Sequence, residues 1–123
     1  MQCNFRLKLL AVVVCCLTSF TAHGHHSTSE FLFLTSEFEG VLTNVRWTNP
    51  HVTLVLQTKE GVQINFIADS IINLYRLGVR KEMFKVGDKI RISGRISGKD
   101  DSRAMAREVV FPEGSSFKLW NGR

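Results

Sequence analysis

Val41-Leu42-Thr43-Asn44-Val45-Arg46-Trp47-Thr48-Asn49-Pro50-His51-Val52-Thr53-Leu54-Val55-Leu56 holds two alternating runs joined by a corner. In the first run Val41, Thr43, Val45 and Trp47 share one face, and Leu42, Asn44 and Arg46 share the other. In the second, Val52, Leu54 and Leu56 share a face. Period-two patterning of this kind is that of half-buried strands. Asn49-Pro50 interrupts it, because proline cannot donate to a ladder and disfavours helix in the residue before it. Two strands meeting at Trp47–His51 predict the corner of a small β-barrel.

Downstream, Lys59-Glu60-Gly61 reads as a hairpin turn in which glycine supplies a positive φ. Val62, Ile64, Phe66 and Ala68 then face inward along a third strand. The period changes after it. Asp69 or Ser70 caps a short helix, Ile71, Leu74 and Tyr75 lie at i, i+3 and i+4, and Leu77-Gly78 ends it. Val79 to Phe84 is a link that includes room for another helical turn. Lys85-Val86-Gly87-Asp88 launches a fourth strand, in which Ile90, Ile92, Gly94 and Ile96 alternate with Arg91, Ser93, Arg95 and Ser97. Gly94 in mid-strand marks a bulge or tight coil. A polar loop follows from Gly98, then a fifth strand from Ala104 to Phe111, a Pro112-Glu113-Gly114 turn and a terminal element over Phe117–Trp120. The order strand, strand, strand, helix, strand, strand is that of the OB-fold. The expected class is therefore all-β with one short helix: an OB-fold-like five-stranded small β-barrel over residues 38–120, preceded by an arm over 25–37.

Upstream, Arg6 and Lys8 precede an unbroken apolar run, Leu9 to Leu17, and then a short polar-to-small stretch to Gly24. This is the feature order of a secretory signal peptide over residues 1–24, and the run is too short for a permanent transmembrane helix. The expected location is the bacterial periplasm or the exterior. Cleavage after Gly24 leaves a chain that begins His25-His26-Ser27; a cut after Ala22 is the alternative. The 16 Lys plus Arg of the whole chain fall to 14 with loss of Arg6 and Lys8, against 11 Asp plus Glu, so the net charge drops from +5 to +3. That is mildly basic and, with export, argues against nucleic acid as partner. Cys3, Cys15 and Cys16 leave with the leader. The processed chain has no disulfide or thiolate site, and about 100 residues must be held by an apolar core alone.

The His25-His26-Ser27 start, the Val45-Arg46-Trp47-Thr48-Asn49-Pro50-His51 run, Leu77-Gly78 and Lys85-Val86-Gly87-Asp88-Lys89-Ile90 together resemble a family of small secreted bacterial proteins classed as a domain of unknown function. The resemblance covers nearly all of the processed chain. It departs at Val79, where the family commonly has an aromatic, and at Ala68-Asp69, where it tends to carry a glutamate. It implies a compartment and a fold, and no activity.

No nucleophile elbow, phosphate loop or His-Glu-x-x-His is present, so the expectation is a binding module and not an enzyme. Two ligand classes suit the residues. His25, His26 and His51 form a candidate metal set. An N-terminal His25 offers its α-amine and its imidazole to one ion, and His26 or His51 adds a third nitrogen, a donor set that suits copper(II). The alternative cut gives a chelate from the His23 amine, amides and the His25 imidazole. Asp69 and Glu39 are the candidate outer partners of such a site. The second class is an envelope polypeptide or glycan held at the barrel face around Trp47 and Asn49, although Trp47 shares a face with core residues and Asn49-Pro50 shapes the turn. Lys89, Arg91, Arg95 and Arg46 outline a basic face that is more economically a solvated strand surface.

Overall fold

The structure is a computed structural model and describes residues 30–122. The leader expected over 1–24, with His25 and His26, lies outside the described residues. The elements are β1 (Ser36–Arg46), β2 (Thr53–Thr58), β3 (Gln63–Ile67), α1 (Ile71–Arg76), a 3-10 turn (Lys81–Met83), β4 (Lys89–Ile96), β5 (Arg103–Val110) and β6 (Ser116–Lys118). The sheet order is β3-β2-β1-β4-β5-β6, and β3 also pairs in parallel with β5. That last pairing closes a five-stranded, OB-fold-like barrel with β6 as an added strand.

Closure depends on β1 serving two partners. Its Ser36–Val41 half pairs with β4 and its Gly40–Arg46 stretch pairs with β2. The two pairings overlap at Gly40 and Val41. A Cβ at Gly40 would stand 2.3 Å from the Gln57 carbonyl oxygen, so only glycine fits. The β4–β5 register shifts between Ser93 and Gly94, but the extra residue is Arg107 of β5, so the bulge belongs to β5. Gly94 instead marks a close approach, where a Cβ would stand 2.7 Å from Met105 O.

The predicted phase of β1 is corrected. The β1–β2 register shifts between Leu42 and Asn44, so Thr43 is an extra residue. A bulge moves every later side chain to the opposite face. Before it, Leu42 is fully buried and Val41 is 42% exposed; after it, Val45 and Trp47 pack on the core. Val62 is likewise out in solvent, because β3 starts one residue later. Ser97, expected on the outer face of the fourth strand, is 3% exposed; the expected core positions of β2, β3 and β4 are otherwise inward. Val52, Leu54, Leu56, Phe66, Ile90 and Ile92 are completely or almost completely buried.

The helix plugs one end of the barrel with Leu74, while Tyr75 stays largely exposed. Ser70 is its N-cap, with Oγ accepting from the Asn73 N–H, and Gly78 ends it at φ +82°. The C-terminal segment closes a second gap. The Leu119 N–H donates to Arg107 O at 2.8 Å and the Asp69 N–H donates to Leu119 O at 2.9 Å, which joins β5 to the chain just after β3. At the other end of the chain, Glu30 meets Arg103 and Ser97, Phe31 bridges to Ser97, and the Leu32 N–H donates to Ile96 O. The arm's backbone is thus stitched to β4, but Phe33 and Leu34 point outward. No described helix is long and apolar enough to cross a membrane.

Candidate functional site

The Trp47–His51 corner ties three parts of the chain together. The Asn49 side chain turns back so that its Oδ1 accepts from the Ile71 N–H at 3.2 Å, one of the free donors of the first turn of α1. The Asn49–Pro50 peptide is cis. Trp47 is half-buried. Its ring lies 6.3 Å from Tyr75 and 6.0 Å from Phe84, so helix and link side chains cover it. The candidate stacking platform is therefore mostly occupied by the protein's own rings.

His51 stacks on Trp120, with centroids 5.6 Å apart and planes at 24°. Its Nδ1 is buried without a hydrogen-bond partner among the described residues, as is Trp47 Nε1. Asp69 belongs to the same corner. It is 7% exposed. Its Oδ1 accepts from Ser70 N at 2.7 Å and Asn73 Nδ2 at 2.9 Å, and its Oδ2 accepts from Asn121 N at 3.1 Å. Burial pushes the Asp69 carboxyl up. The bonds from Asn73, Asn121 and Ser70, with the charge of His51 behind them, outweigh burial and hold it below its ordinary value of 3.8. Asp69 thus stands with His51, whereas Glu39 is engaged elsewhere, 2.6 Å from Lys89 on the exposed β1–β4 face. Among the described residues no three His, Cys, Asp or Glu converge on a metal position; His25 and His26 lie outside that set.

Beside this corner is an opening that the sequence did not announce. Beyond Leu42, β1 has a strand neighbour on one side only among the described residues, since β4 pairs no further than Val41 and β2 occupies the other side. The open side faces a cleft of about 570 Å³ lined by Thr43, Asn44 and Val45 from β1 and by Lys81, Glu82, Phe84 and Val86 from the link. At the Leu42 end of this edge the Leu42 N–H donates to Asp88 O and the Gly87 N–H donates to Leu42 O. The Lys89–Arg95 row offers no comparable feature: Lys89 is paired with Glu39, and Arg91 approaches Glu37 at 4.0 Å.

Barrel, corner and chain can be set against known proteins, and one family matches over residues 12–106. The chain belongs to DUF6152, a family of unknown function. The DUF6152 match takes in His25, His26 and the whole Trp47–His51 corner, and runs into β5. Trp120 and Asn121, which complete the corner in space, lie beyond it. No curated protein and no solved structure matches the chain. Trp120, Asn121 and the cleft were missed because each depends on residues far apart in sequence; a lone tryptophan near the C-terminus was the only visible signal.

Proposed function

We propose that this DUF6152 protein is an exported, non-catalytic binding module that receives an extended polypeptide segment on the open edge of β1, beside Trp47. The one-sided pairing of Thr43–Arg46 beside the cleft carries this reading. An open edge presents backbone N–H and C=O groups in strand spacing, and an added strand satisfies them while a side-chain pocket supplies selectivity. Val45, Phe84 and Val86 give that pocket an apolar floor, and Lys81 and Glu82 give it a polar rim. The signal-peptide pattern read over residues 1–24 supports an envelope location for the encounter. The test is a selection of displayed extended peptides followed by fluorescence anisotropy on wild type and Val86→Asp. Val86 is 64% exposed, so the change should leave the fold intact and weaken binding about tenfold or more. Equal affinities would remove this reading.

A second reading keeps copper(II) at His51 with His25 and His26, and the Nδ1 of His51, which has no partner among the described residues, favours it. The arm is anchored at Glu30 beside Arg103, so His25 and His26 lie within five residues of a fixed point on the barrel. Calorimetric titration of copper(II) into the processed chain would be compared with a His51→Ala chain that begins at Ser27. Matching dissociation constants would count decisively against the site.

A further inference from the structure

The chain carries its own candidate occupant for the β1 cleft. Phe33 is 93% exposed and Leu34 81% exposed, an unusual placement for two adjacent large apolar side chains. Their loop is held at both ends: the Leu32 N–H donates to Ile96 O, and Ser36 is paired with Gly94. These contacts hold the loop beside β4, before the start of β1, whereas the cleft lies along the far half of that strand, at Thr43–Val45, where β1 pairs with β2 and no longer with β4.

Charge complements shape. Of the three glutamates in Glu30–Glu39, the segment that includes the loop, Glu30 pairs with Arg103 and Glu39 with Lys89, which leaves Glu37 as the acid available to a partner. Arg80–Lys85, the segment that forms the far wall of the cleft, holds Arg80, Lys81 and Lys85 against Glu82 alone. Glu37 is exposed and only loosely engaged by Arg91, at 4.0 Å. Lys81 is exposed on the cleft rim and has no carboxylate within ion-pair distance among the described residues.

We infer that the Phe33–Leu34 loop of one copy seats in the β1 cleft of a second copy, with Glu37 facing the partner's Lys81. The inference rests on the cleft being a polypeptide site and names its occupant. Loop and cleft are unlike surfaces, so the contact closes when both copies exchange loops about a two-fold axis.

Sedimentation velocity on the exported chain, from micromolar to millimolar concentration, tests it. Wild type should pair reversibly. Phe33→Ser with Leu34→Ser, and separately Val86→Asp, should each raise the dimer dissociation constant about tenfold or more. Glu37→Lys and Lys81→Glu should each weaken the pair, and the two together should restore it, which a merely unfolded variant would not do. A wild type that stays monomeric throughout overturns the inference. So does association that ignores Val86→Asp and both charge reversals, since the loop would then be meeting some other surface. A monomer that sediments with anionic lipid vesicles through Phe33 and Leu34 also overturns it. A monomer that still binds displayed peptides, with Val86 dependence, overturns only the second-copy inference and leaves the cleft as a polypeptide site; loss of both ends both.

Discussion

At Asp69 a single carboxylate accepts from the helix start (Ser70 and Asn73) and from the C-terminal segment (Asn121), beside the His51 ring. Replacing it with asparagine removes the charge and turns half of its acceptor capacity into a donor aimed at donors. Asp69→Asn should destabilise the fold by about 1–3 kcal/mol, read as a lower urea midpoint. The pH dependence follows from the lowered pKa. The stabilisation is complete above the unfolded-state value, near 3.8, and is lost as pH falls through the lower folded value. Wild type should therefore lose stability in that acid window, and Asp69→Asn should lose correspondingly less. The N-cap at Ser70 could be read from the sequence because a cap bonds within three residues of itself. The contact of His51 with Trp120 could not, because nothing local to either ring specifies the other.

Among the elements, β1 shows how one strand can be half legible. Its existence follows from alternation, but its inward face does not, because the Thr43 bulge reverses the phase and a bulge is set by the fit between neighbouring strands. Gly40 is the companion case. As a sequence letter it is one glycine of nine; in the fold it is where the β4 and β2 pairings of β1 overlap, with no room for a Cβ against Gln57 O. Gly40→Ala should cost about 1–3 kcal/mol or more, the range of overpacking. Gly61→Ala makes the control: no atom crowds its position, so its effect should come only from the positive φ. If equilibrium denaturation shows Gly40→Ala to be neutral, the close approach of Gln57 O does not constrain this position. The inward apolar positions of β2 and β4 were read correctly because neither strand carries an inserted residue; the extra residue of the β4–β5 pair is Arg107 of β5.

For the whole molecule, stability depends on how the barrel is finished. β3 and β5 pair over only Asn65–Ile67 and Arg103–Met105, and the remaining gap is bridged by Leu119, which is fully buried and bonded to both sides. Leu119→Ala should cost about 2–5 kcal/mol, as a large core truncation does. Thermal unfolding should show the loss as a fall in Tm, larger than for Lys118→Ala, whose side chain is exposed on β6. Equal shifts would mean that the C-terminal segment is not part of the closure. The Trp47–His51 corner depends on the same segment, since Trp120 and Asn121 follow Leu119 directly.

The sequence by itself determined the strand and helix order, most inward faces, the turns at Gly61, Gly78, Gly87 and Gly114, and hence the OB-fold-like class. All of these are encoded by periodicity and by residues whose backbone preferences act over a few positions. The tertiary structure alone decided the phase of β1, the covering of Trp47 by Tyr75 and Phe84, the seating of His51 against Trp120 and Asp69, and the open β1 edge. Those features arise from strand register and from contacts between segments distant in the chain, which no local pattern of residues specifies.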